Sequence, residues 1–264
     1  MKKLGILICF LATTLYGFAP ASTKGNGTAD NTDVASLQKV ASDSVKIQNN
    51  CPSIQDFYNS LDTKGLSYEA FFYAMHGFYK LSQANKLEKP HLITIFDLSK
   101  PSKEERIYII DLQMRKVLMR SLCSHGGNSG EMYAHSFSND ISSHMTSLGF
   151  YIAAETYTGK NGYSLKLDGL EPGFNDNARE RAVVIHGADY AEYSFLQGNS
   201  YLGRSQGCPA LPRGNNDKII NLMKNGSCLF IYAPNNSYLK KSTFLKVETN
   251  LVEDFLNNRY HQAV

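Results

Sequence analysis

The sequence predicts a mainly β domain with short helical insertions, preceded by a small helical segment. Three observations lead there. Short runs rich in β-branched and aromatic residues recur between turn residues along most of the chain. Helical periodicity is confined to a stretch near residues 53–84, a short stretch before Asn225-Gly226 and the C-terminal region. The 264 residues are 42% hydrophobic, enough to bury a core and to exclude wholesale disorder. At this length one domain with a small appendage is expected.

The elements follow in order. Residues 1–21 read as a signal peptide: Lys2 and Lys3 are basic, Leu4 to Leu11 is apolar, and Ala19-Pro20-Ala21 precedes Ser22 in the A-x-A form of a cleavage site. The apolar run is well short of the roughly 20 residues of a spanning helix, so the mature chain is expected to be exported to the periplasm or cell envelope, with no membrane span. Residues 22–50, rich in Ser, Thr, Asn, Asp and Gly, are expected to be a flexible tether. In the helical segment 51–89, apolar residues from Phe57 to Leu81 recur at helical spacing, predicting helices at about 53–61 and 67–84 broken at Lys64-Gly65. The main domain is placed at 90–245. Strands are predicted at 91–98, 106–113, 116–123, 148–154, 163–167, 182–186 and 228–232. A short helix at 217–224 is predicted to be capped by Asn215 or Asn216. Residues 246–264 form a C-terminal helix and tail.

Charge and cysteine content narrow the function. The net charge is +3, and Lys2 and Lys3 carry two of those positives, so the mature chain has no electrostatic footprint for nucleic acid or acidic membrane. Cys9 falls in the signal segment, leaving Cys51, Cys123, Cys208 and Cys228, which an oxidising compartment could pair in several ways. There is no C-x-x-C spacing, and His125, His135 and His144 are scattered, so no metal site is expected.

The chemistry-bearing positions are His186 and Cys208. Val183 to Ile185 form an apolar run that ends in His186-Gly187, placing an imidazole at a strand end where Gly187 lets the backbone turn. Downstream, Cys208 stands between Gly207 and Pro209, in a constrained loop that can present a thiol and aim successive amides at one point. That suits a nucleophile with an oxyanion site at the Gly207 and Cys208 amides and with His186 as its base. Histidine before cysteine is the reverse of the papain order.

The segments that carry these residues resemble the L,D-transpeptidase catalytic domain (YkuD-like), and specifically its murein branch. The resemblance rests on His186-Gly187-Ala188, on Gly203 through Pro212, and on His125 through Gly130. It extends to Ser136 through Asn139, Ser147 through Tyr151 and Asp176 through Arg181, covering roughly residues 90–235. It implies a β-sandwich catalytic domain in which Cys208 attacks a peptide carbonyl, His186 serves as general base and acid, and Ser205 and Gly207 support the nucleophile. Gln206 and Ala210 depart from the broader family, many members of which carry His and Asn or Arg there. Gln206 cannot titrate, which puts acceptor binding in question.

The resemblance implies peptidoglycan stem peptides as substrate. A thioester forms on Cys208, D-Ala leaves and an amine acceptor completes the cross-link, with no cofactor. Hydrolysis of the same thioester would make an L,D-carboxypeptidase. A non-catalytic wall-binding module and a general secreted cysteine protease are the readings from other classes. Candidate substrate-binding residues are Ser205, Arg204, Gly187, His125 and Arg179. The arginines suit carboxylates, although pairing with Asp176 or Glu180 is an equal alternative, as it is for Arg181. Oligomeric state, acceptor and cysteine pairing stay open at this level.

Overall fold

The computed structural model describes residues 52–260. The signal segment, the tether and Cys51 lie outside the described residues.

Two helices open the described chain. Helix α1 (Ile54–Asn59) starts with a capping box in which Ser53 and Asp56 exchange side-chain and backbone hydrogen bonds. Helix α2 (Tyr68–Gln83) is capped by Ser67. Lys64 (φ 30°) and Gly65 (φ 105°) make the break between them. Phe71, Met75 and Phe78 recur on one face of α2 and are fully buried.

Eight strands follow: β1 (Leu92–Asp97), β2 (Ile107–Asp111), β3 (Lys116–Ser121), β4 (Gly149–Gly159), β5 (Gly162–Gly169), β6 (Val184–Gly187), β7 (Ala210–Leu211) and β8 (Ser227–Tyr232). They pair in the order β3-β2-β1-β8-β4-β5-β6-β7. The β1–β8 and β6–β7 pairs are parallel and the others antiparallel. Ser124, just past edge strand β3, forms a bridge to Ala210 in the opposite edge strand β7. The sheet therefore curls until its two edges approach, and its concave side is filled. This is the mainly β architecture with few short helices that the strand pattern predicts.

The middle strands are buried along their whole length rather than on alternate residues, because both faces are covered. Helix α2 packs on β1 and β8, while α3 (Arg213–Met223) contacts β2, β5 and β6. Gly77 makes the α2 packing possible: a Cβ there would lie 2.0 Å from the Phe150 ring, which stacks on Phe230 with centroids 4.2 Å apart. Two further helices, α4 (Asn236–Lys241) and α5 (Thr249–Tyr260), close the chain. Buried Glu171 accepts hydrogen bonds from the Phe150 amide, Tyr238 Oη and Ser242 Oγ, tying α4 and the residue after it to β4.

Helix α3 begins four residues before the predicted start, and neither Asn215 nor Asn216 caps it. Pro212 occupies the cap position without a side-chain bond. Glu192 Oε1 instead accepts from the Arg213 amide at 2.7 Å and from the Gly214 amide at 3.4 Å. The orphan donors of the first turn are satisfied by a carboxylate about twenty residues upstream, a partner no local pattern contains. Strand β7 and helix α4 also lie outside the predicted elements.

Candidate active site

Strand pairing brings the two chemical residues together. In the parallel β6–β7 pair, His186 is opposite Ala210 and Gly187 opposite Leu211. Cys208, two residues before Ala210, is thereby set beside the start of β6. Its Sγ accepts from the Val184 amide at 3.5 Å and donates to the Ala182 carbonyl at 3.8 Å. His186, two residues along β6 from Val184, stands roughly 7 Å farther up the strand. Its Nδ1 lies 3.1 Å from the Gly187 carbonyl. A carbonyl can only accept, so Nδ1 carries the proton and Nε2 keeps its lone pair. Burial, reinforced by Arg213, holds the imidazole below its ordinary pKa against the pull of that carbonyl. Burial raises the Cys208 thiol, while the Val184 amide and the Arg181 charge lower it.

The Gly207-Cys208 turn is braced by Ser205. Ser205 Oγ donates to the Cys208 carbonyl at 2.6 Å and accepts from the Gly207 amide at 3.1 Å. Gly207 has φ 119°, and a Cβ there would lie 2.9 Å from the Met145 carbonyl oxygen, so only glycine fits. A second loop is zipped alongside: Gly127 N donates to Ser205 O at 2.8 Å and Ser205 N to His125 O at 3.0 Å. Thr146 Oγ1 joins the loops, accepting from Gly126 N at 3.0 Å and donating to Gly207 O at 3.4 Å.

Behind these loops sits a buried cation. The Arg106 guanidinium is fully buried, donates to the carbonyls of Cys123 and Lys100 and lies 2.7 Å from His125 Nδ1. Burial lowers it to about 10, and burial together with the Arg106 charge drives His125 down to about 3. His125 is thus a neutral acceptor for Arg106.

A family model described as the L,D-transpeptidase catalytic domain matches residues 62–232. The chain belongs to the L,D-transpeptidase catalytic domain family. Among solved structures, an L,D-transpeptidase from Mycobacterium smegmatis is 13% identical with a TM-score of 0.34, over 54% of this chain and 59% of that one. One from Stackebrandtia nassauensis is 12% identical with a TM-score of 0.34, over 63% of this chain and 67% of that one. The chain thus spans about 59% of the length of the M. smegmatis enzyme it matches. No curated protein matches the chain.

Within this L,D-transpeptidase-family domain, the residues singled out in the sequence are placed very differently. His186, Gly187, Ser205, Gly207 and Cys208 converge on the β6–β7 edge. The Gly207 amide, expected to face an oxyanion, is engaged by Ser205, so in this state the residue serves the turn's conformation. His125 is 1% exposed and lies under the loops rather than on a cleft wall. Arg179 is held by Glu155 at 2.7 and 2.8 Å and by Asp168. With Tyr157, Lys166 and Ala182–Val184 it lines a cavity of about 150 Å³, whose wall thus includes the two residues that touch the thiol. Arg204 donates to the Gly130 carbonyl at 3.3 Å and separates two open clefts of about 650 and 530 Å³. Among the described residues it has no carboxylate partner, so of the two candidate arginines Arg204 is the one free to meet an anion. Cys123 and Cys228 are free and buried. Burial pushes the Cys123 thiol up to about 12 and raises Cys228 as well.

Proposed function

We propose that this chain is an exported murein L,D-transpeptidase that forms a thioester between Cys208 and a peptidoglycan tetrapeptide stem. The observation that supports the reading is the β6–β7 pairing, which brings a thiol in a constrained Gly-Cys-Pro turn to the start of the strand that carries His186, whose Nε2 keeps its lone pair. Rotation about the Cys208 side chain takes Sγ from the Ala182 carbonyl toward His186 Nε2. Nε2 accepts the thiol proton, and the sulfur attacks the carbonyl that precedes the terminal D-Ala. The Cys208 amide stabilises the oxyanion, and the Gly207 amide joins it only by giving up Ser205 Oγ. The C–N bond breaks, His186 returns the proton to the departing D-Ala amine, and the acyl group remains on sulfur. An amine of a second stem attacks the thioester, His186 takes its proton, and the thiol is regenerated with a cross-link formed. The thioester preserves the acyl activation, so the chemistry balances with no cofactor.

The residues around the thiol serve this scheme in distinct ways. Ser205 holds the turn, and the Gly187 carbonyl sets the His186 tautomer. Arg204, beside the two clefts, is suited to a stem carboxylate. Hydrolysis of the thioester by water would give the L,D-carboxypeptidase reaction instead.

The test is mass spectrometry of purified protein with a disaccharide-tetrapeptide, alongside Cys208→Ala. The transpeptidase yields free D-Ala and a cross-linked dimer, both absent from the variant. D-Ala without dimer assigns the carboxypeptidase, and a wild type indistinguishable from the variant assigns a wall-binding module.

A further inference from the structure

Arg181 lies in the turn that leads into β6, one residue before Ala182, whose carbonyl accepts from the thiol. Its side chain makes four hydrogen bonds, all to one segment. Nη1 donates to the Ser138 carbonyl at 2.9 Å and to Ser147 Oγ at 3.1 Å. Nη2 donates to the Met145 carbonyl at 2.6 Å and to Ser143 Oγ at 3.2 Å. Every partner is neutral. Two residues earlier, Arg179 is neutralised by Glu155 and Asp168, so neighbouring arginines have opposite fates.

The guanidinium faces the nucleophile turn. A Cβ built on Gly207 would lie 3.3 Å from Arg181 Nη2 and 2.9 Å from the Met145 carbonyl that the same nitrogen holds. The charge therefore stands against the residue that precedes Cys208. The other titratable groups around the thiol supply no competing positive charge at neutral pH. His186 is held below its ordinary pKa, and Arg213, the cation that acts on His186 and Tyr190, is paired with Asp189 at 2.6 Å. Lys166 and Arg179, across the small cavity lined by Ala182–Val184, are both paired with Glu155, and Arg179 with Asp168 as well.

We propose that Arg181 is the positioning residue of the nucleophile: its charge stabilises the Cys208 thiolate, and its four hydrogen bonds clamp the 138–147 segment against the Gly207 turn. When the proton moves from Sγ to His186 Nε2, the electron pair left on sulfur sits in a half-buried site that disfavours it. A guanidinium without a carboxylate partner opposes that penalty, whereas a paired one would be spent before the reaction began. Neutral partners fix the side chain in place and leave its charge undiminished.

The inference rests on Cys208 as the nucleophile, and the experiment separates the two. The rate of Cys208 alkylation by iodoacetamide is followed against pH in the full chain by peptide mass spectrometry, with Arg181→Gln and Arg181→Lys in parallel. In R181Q the midpoint is expected to rise by about one pH unit, slowing alkylation at pH 7 about tenfold. In R181K the midpoint is expected to stay within about 0.3 unit of wild type, because the charge remains while the fork of hydrogen bonds does not. A folded R181Q with the wild-type midpoint overturns the inference. So does a folded R181K whose midpoint shifts as far as that of R181Q, which would make the clamp alone responsible. Should R181Q fail to fold, seen as alkylation of buried Cys123 and Cys228, R181K decides: a folded R181K whose midpoint rises by about one pH unit or more overturns the inference, and one within about 0.3 unit of wild type supports it. A wild type unreactive at Cys208 throughout pH 5–10 overturns the nucleophile itself.

Discussion

The centre of the sheet and its β6–β7 edge each hold a free cysteine whose thiol burial raises, and they differ in exposure and in the polar groups that meet the sulfur. Cys228 lies within β8, between β1 and β4, fully buried, with a thiol that burial alone raises. Cys208 precedes a strand of only two residues, is half-buried, and meets an amide, a carbonyl and a nearby guanidinium. The centre is held by regular backbone pairing on both sides of β8 and by the stack of Phe150 on Phe230, with Thr94 Oγ1 on β1 buried without a partner. At the edge regular structure stops early, with a strand of only two residues, so Gly207, Ser205 and Arg181 shape the surroundings of the Cys208 turn. Core burial and nucleophilic reactivity are opposed demands on a thiol, and this fold sets one cysteine in the middle of the strand order and the other at its β7 end.

The largest expected effect separates the two cysteines directly. Cys208→Ala is expected to abolish both the covalent adduct and D-Ala release, a loss of at least about a thousandfold. Cys228→Ala is expected to retain turnover and lose about 1 kcal/mol of stability from the small cavity. Intact-protein mass spectrometry and thermal melts read the pair, and loss of the adduct in C228A alone would reverse the assignment.

Gly207→Ala attacks the edge through its backbone. A methyl group at φ 119° and 2.9 Å from the Met145 oxygen strains the turn. The expected cost is about 1–2 kcal/mol of stability, with turnover falling more than tenfold as the thiol is displaced. Gly77→Ala is the converse, because it overpacks the Phe150 ring far from the thiol. It is expected to cost about 1–3 kcal/mol and to lower the melting temperature by about 2–12 °C, while kcat of the folded fraction stays unchanged. Equal losses of kcat in the two variants would break the separation between centre and edge.

The smallest effect concerns the base. Arg213 helps to hold His186 below its ordinary value, so Arg213→Gln is expected to raise the imidazole pKa. His186 must be neutral to accept the thiol proton, and kcat/KM therefore falls as pH drops through that pKa. The acid limb should lie below about pH 6.5 in the wild type and move up in the variant by about 0.1–0.5 unit. Asp189 already pairs with Arg213, which is why the shift is small. An acid limb that moves down on removing the cation would contradict His186 as the base.

The parts of the fold that were legible share a physical basis. Strands β1, β2, β3 and β8 announce themselves as short runs rich in apolar residues between turn residues, and helix α2 by apolar residues at helical spacing. Helix α3 was misjudged at its start because Glu192, remote in sequence, satisfies its first amides. Strand β7 is too short to have a period. At the site, His186 and Cys208 were legible because a strand-end His-Gly and a Gly-Cys-Pro turn are local constraints. His125 was expected on the cleft, yet its environment is set by Arg106, whose burial no neighbouring residue signals. Arg179 and Arg181 look alike in a run of alternating charges, and nothing local shows that Arg179 meets Glu155 and Asp168 while Arg181 meets neutral groups.

The sequence by itself determined the chemistry available: a thiol in a turn that only glycine can enter, a histidine at the end of an apolar run, and the elements that carry them. Local sterics and hydrophobic periodicity act over a few residues, and a sequence displays them directly. The tertiary structure alone decided which of these groups meet. The parallel pairing of β6 with β7 set Cys208 against the strand that ends in His186, and the folding of the 138–147 segment under Arg181 gave that guanidinium neutral partners while Arg179 met Glu155 and Asp168. Electrostatics depends on distances between residues far apart in the chain, and only the folded backbone sets them.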